Sequence, residues 1–122
     1  MSPFDTLQKQ FDADYGSFML IARCELRWDW SAFTALTSAM YHVAEQLRGH
    51  QTIDLWIANG FWTCDTWIRE WTGHDSFPRP DRPHYEAALG LLHDLAYFLF
   101  MGESPYTDDT LQTRAVIGIA PA

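Results

Sequence analysis

IDLWIANGFWTCDTWIREW, residues 53–71, holds four of the chain's six tryptophans, and its reading decides the fold. At helical spacing Ile57, Phe61, Cys64, Ile68 and Trp71 step by four and three and fall on one stripe. Ile53, Trp56, Thr63 and Trp67 form a second stripe beside it. Apolar surface this wide predicts a central, mostly surrounded helix. The remaining face carries Ala58, Trp62, Asp65 and Arg69, and the last two are spaced as an i,i+4 ion pair suited to water. Trp62 is therefore a large indole on the side expected to be wet.

Asn59-Gly60 between two apolar segments is also a strong hairpin signal. In a two-residue hairpin, however, Asp54 would face Asp65, a like-charge pair that opposes the sheet. The helical stripe runs through Gly60 without a break. Helix is the preferred reading, with a kink at Gly60 allowed, where glycine costs about 1 kcal/mol relative to alanine.

Similar periods extend outward on both sides. Ser2 at a cap position and Pro3 at the first helical position open a helix, with Phe4, Leu7, Phe11 and Tyr15 on one side. The apolar run at 18–22 suits either a buried strand or a helix, and helix is preferred. Asp29 or Ser31 caps the cleanest helix, in which Phe33, Leu36, Met40, Val43 and Leu47 repeat at 3,4,3,4 spacing before Gly49. Residues 74–83, HDSFPRPDRP, read as a proline-rich connector. A long helix follows, with Tyr85, Ala88, Leu92, Leu95 and Leu99 as its core stripe and Gly102 as its stop. Residues 103–122 are weakly patterned, with a capping signal at Thr107-Asp108-Asp109-Thr110 and an apolar run from 115 to 120 that suits docking on a core. These elements predict a single all-α domain over residues 1–122, a compact antiparallel bundle of four to five helices.

Composition narrows function by exclusion. The 122 residues hold 16 acidic and 8 basic side chains, with Lys9 the only lysine, for a net charge of −8. Such a surface repels nucleic acid and anionic lipid, so direct nucleic-acid binding is not expected. It suits a protein partner with a basic surface. No apolar run approaches the roughly 20 residues a membrane helix needs. Cys24 and Cys64 stand forty residues apart with no CxxC, and residues 1–5 lack the features of an export signal. Reduced thiols and a cytoplasmic location are the resulting expectation.

Motifs for chemistry are few. Glu86, Gly90, His93 and Tyr97 follow at 4,3,4 spacing on the long helix, with Asp94 adjoining. A carboxylate, an imidazole and a phenol on one stripe make an alternative ligand or acid–base face. Single-helix placement favours ordinary boundary roles, with His93 bonded to a neighbour and Gly90 permitting close helix packing. His42 and Glu45 sit at i,i+3, but the chain has no Glu-x-x-His and too few convergent ligands for zinc, so no metal or other cofactor is expected. Nucleophile elbows and phosphate loops are absent from the sequence. The remaining signal is aromatic: Trp62 with Asp65 and Arg69, and Trp28 and Trp30 flanking Asp29, are candidate partner-binding residues, tryptophan and arginine being common hot-spot anchors. Trp28 and Trp30 equally suit a staple closing the helix junction. The expectation is a small acidic non-enzymatic protein that binds and inhibits another protein, such as a nucleic-acid-acting enzyme, in the manner of immunity, anti-restriction or anti-CRISPR proteins. The alternative is a helical enzyme or ligand-binding domain using Glu86, His93, Asp94 and Tyr97, and a homodimer burying the surplus aromatics is a third arrangement.

Overall fold

Ser2 accepts the Asp5 amide at 3.2 Å and starts α1, Pro3–Phe11, with the proline in the first turn where its missing N–H is harmless. The computed structural model, which describes residues 2–122, continues with α2 (Phe18–Cys24), α3 (Trp30–Gln46), α4 (Leu55–Thr72) and α5 (Arg82–Met101). A short α6, Thr110–Gln112, runs into one π-helical turn, Thr113–Ile117. Every described element is helical, so the hairpin and strand alternatives fall away.

Local capping explains most boundaries. Ser17 accepts the Leu20 amide and Asp29 the Ala32 amide, settling the α3 start on Asp29 rather than Ser31. Asp81 caps α5 by accepting the His84 amide, and Gly102 ends that helix in the left-handed conformation at φ 77°. Because α1 stops at Phe11, Tyr15 leaves the expected stripe and stands fully exposed.

The core stripes of α3 and α5 are buried in their middle positions, Phe33, Leu36, Met40 and Val43 with Ala88, Leu92 and Leu95. Leu47, Tyr85 and Leu99 are only half-buried, and Leu91 and Phe98 take core places the stripe did not include. In α4, Ile57, Phe61, Cys64 and Ile68 are buried, whereas Trp71 is at the edge and Thr72 takes the next core position. The most widely contacted helix is α3, which touches α1, α2, α5 and the π turn. By contrast α4 packs on α2 and α5, meets the Phe11 ring of α1, and leaves Leu55, Asn59, Trp62 and Thr63 in solvent. Its burial is thus narrower than its tryptophan content suggests. Indoles fill the margins of the core: Trp56 and Trp67 are half-buried, and Trp67 stacks on Trp71 at 5.5 Å.

Docking of the C-terminal segment combines apolar burial with polar ties. Leu111 and Ala115 are buried, and the buried Thr37 hydroxyl donates to the Ala115 carbonyl at 2.8 Å. Asp108 accepts from the Thr110 amide and hydroxyl, fixing the start of α6.

Candidate functional site

Trp62, Asp65 and Arg69 lie along the solvent side of α4 at 3,4 spacing, one turn apart. Trp62 is 68% exposed, the most open of the tryptophans among the described residues. Thr66 donates its hydroxyl to the Trp62 backbone carbonyl at 2.9 Å. Arg69 pairs with Asp65 at 2.9 Å, as the spacing predicts.

The two sets of residues singled out in the sequence partly converge. Asp65 and Arg69 from α4, with Glu86, Leu89, Gly90 and His93 from α5, line one open groove of about 560 Å³. Glu86 is held by Arg82 at 2.8 Å, so two ion pairs flank the groove and its local charge is nearly balanced. A Cβ at Gly90 would meet nothing within 4 Å. Close helix packing therefore does not explain this glycine, which instead leaves the groove floor open.

Asp94 and Tyr97 are not part of that groove. Asp94 accepts the Tyr106 hydroxyl at 2.8 Å, and Arg114 donates to the same phenol oxygen at 3.1 Å while lying over its ring. The hydrogen bond to the Asp94 carboxylate pushes the Tyr106 phenol pKa up. This chain of groups fastens the C-terminal segment to α5, a structural role. Tyr97 is 37% exposed beside Phe100 and Met101, which are also open at the end of α5. The proposed four-residue ligand face is thus split by its helix, and the structure does not assemble Glu86, His93, Asp94 and Tyr97 into one site. Among the described residues no three His, Cys, Asp or Glu side chains stand close enough to hold a metal ion.

Trp28 and Trp30 have a different position from Trp62. Trp28 packs edge-on against Phe18 and Tyr85, and against Phe33 and Trp30, with its indole N–H buried. Trp30 is half-buried against Phe33 and His84. Both act as the staple over the α3 start, so neither is a free surface anchor. Burial pushes the Cys64 thiol pKa up strongly, the reverse of what a nucleophilic cysteine needs.

The groove around Gly90 was missed because two helices build it, and only their relative register brings Asp65 opposite Glu86. The sequence marked Asp65 and Arg69 on one helix and Glu86, Gly90 and His93 on the other, but not that the two sets share a groove. No protein-family model, curated protein or solved structure matches the chain. No helix among the described residues is long and apolar enough to cross a membrane.

Proposed function

We propose that the protein is a non-enzymatic binder that docks on another protein through the outer α4–α5 face, with Trp62 as anchor and Asp65 and Arg69 beside it. The observation that carries this reading is the exposed Trp62 indole on a helix whose neighbouring core positions are filled. An indole left in water loses the burial that large aromatics usually provide, and a partner surface restores it. Gly90 supports the same face, because a mid-helix glycine with open space above it gives up about 1 kcal/mol of helix stability with no intramolecular return. The net charge of −8 supplies long-range steering toward a basic partner. In its concrete form the partner is a nucleic-acid-acting enzyme that the protein inhibits in the cytoplasm, in the manner of immunity, anti-restriction or anti-CRISPR proteins.

Trp62→Ala is expected to weaken partner binding at least about 30-fold, the scale of a central tryptophan hot spot, while changing folding stability by less than about 0.5 kcal/mol. Tyr15→Ala, which removes a fully exposed aromatic elsewhere, is the control and leaves binding unchanged. Capture by immobilised wild-type and variant protein, repeated from about 50 to 300 mM salt, reads both effects, since screening shortens the steering field. Equal capture by wild type and Trp62→Ala, independent of salt, overturns the reading. Masses from light scattering separate a foreign partner from a second copy of this chain.

A further inference from the structure

Among the described residues Leu26 is one of two non-glycine residues with positive φ, at 52°, and the bulkier of them. Left-handed backbone is disfavoured for a leucine and comfortable for glycine or asparagine. Burial does not compensate, because Leu26 is 47% exposed. A strained position with a half-open apolar side chain points to a role for the side chain outside the core.

That side chain walls a pocket. Leu26, Trp71, His74, Ser76 and Phe77 line a half-open pocket of about 240 Å³ between the loop after α2 and the connector after α4. Its walls are set in place before any ligand arrives. The Trp71 indole N–H donates to the Ala22 carbonyl at 2.8 Å, and its ring stacks on Trp67 with an interplanar angle of 11°. Phe77 is buried, its amide donating to the His74 carbonyl at 2.9 Å. Arg79 holds the same carbonyl at 3.0 Å and that of Thr72 at 3.3 Å, which pins the connector. Three of the five lining residues are apolar and none is Lys, Arg, Asp or Glu. The polar handles are the Ser76 hydroxyl and the His74 Nδ1, 3.4 Å apart.

We propose that this pocket binds an uncharged small aromatic molecule of one or two rings, the ring held between Trp71, Phe77 and Leu26 and a single N–H or O–H group meeting Ser76 or His74. Size supports the assignment, since an apolar cavity of about 150 Å³ already admits benzene. A lining with few polar groups that fix orientation, on walls already in place, is the usual character of small-molecule sites. The residues are distinct from Trp62, Asp65 and Arg69, so the inference stands apart from the protein-binding face.

Indole titrated into 15N-labelled protein tests it, with the Trp71 indole N–H assigned by its loss in Trp71→Phe. The expected result is a saturable shift of that signal with a midpoint below about 1 mM, weakened about tenfold by Leu26→Asn. Asparagine tolerates the left-handed backbone, so the fold is retained while the wall turns polar. If Leu26→Asn disturbs signals far from the loop, Leu26→Gly, equally at ease at this φ, takes its place. No saturation by about 10 mM, an equal shift of all six indole signals, or undiminished affinity in the Leu26 variant overturns the proposal. Tighter binding of an Ala-Trp-Ala tripeptide than of indole also overturns it, by placing the ring on a partner chain.

Discussion

Replacing Phe33 by alanine is expected to remove about 4 kcal/mol of folding stability, within the range of buried Phe→Ala changes. Phe33 is almost wholly buried and its ring lies 5.2 Å from Phe18, 5.1 Å from Trp28 and 5.8 Å from Trp30. Edge-on aromatic pairs contribute about 0.5–1.5 kcal/mol each beyond their area, so the truncation removes pair energy as well as transfer energy. The neighbours have little freedom to refill the space. Phe18 is anchored one residue after the Ser17 cap, and Trp28 is wedged against Tyr85 of α5, whose hydroxyl is hydrogen-bonded to the buried Thr72 at 2.8 Å. A domain of this size has about 5–15 kcal/mol in total, so the variant is left near the threshold of folding. Urea unfolding followed by circular dichroism reads the change as a midpoint about 2 M lower, taking a slope of about 2 kcal/mol per M. A loss under about 1 kcal/mol shows instead that the cluster is loosely packed and that the α2, α3 and α5 junction is held elsewhere.

The contrast with Trp62→Ala separates two kinds of tryptophan that look alike in sequence. Trp28 and Trp62 both sit near polar neighbours, and both suit a surface role on composition alone. Their difference is tertiary: Trp28 turns inward because Phe18, Phe33 and Tyr85, from three helices, surround it, and Tyr85 is 57 residues away in the chain (85 − 28). Helix positions, by contrast, were legible because their causes are local. Ser2, Asp29, Asp81 and Gly102 mark ends through their own backbone contacts, and the 3,4 repeats of α3 and α5 mark faces. What local physics does not encode is which helix is most enclosed. Four tryptophans make 53–71 look central, yet α3, smaller in its side chains, is approached from more sides. The candidate site follows the same division. The Asp65–Arg69 pair was readable from spacing, while the groove shared with Glu86 and Gly90 depends on helix register. Asp94 was drawn to Tyr106 by a segment whose docking, through Leu111, Ala115 and Thr37, is not marked by any strong local period.

Gly60→Ala is expected to change sign with the residue at position 11. Both Gly60 and Gly90 lie inside helices, where glycine costs about 1 kcal/mol relative to alanine, but for different reasons. Gly90 faces open space, whereas a Cβ at Gly60 would overlap the Phe11 ring, with the ring's Cγ only 2.7 Å away. The ring cannot move aside freely, because it makes edge contacts with Phe61 at 5.8 Å and Trp56 at 6.4 Å. Overpacking typically costs about 1–3 kcal/mol, and with three ring atoms inside the contact limit the upper part of that range, about 2–3 kcal/mol, applies and outweighs the gain in helix propensity. Gly60→Ala alone is therefore expected to destabilise by about 1–2 kcal/mol net. In a Phe11→Ala background the clash disappears, and the same change is expected to stabilise by about 1 kcal/mol. The resulting coupling of about 2–3 kcal/mol lies at the upper end of what contacting residues show in double-mutant cycles. Urea midpoints of the four proteins measure it directly. An effect of the same sign and size in both backgrounds means that Phe11 does not rest on Gly60. The seating of α1 across α4 would then fail with it, since that glycine is the gap into which the ring fits.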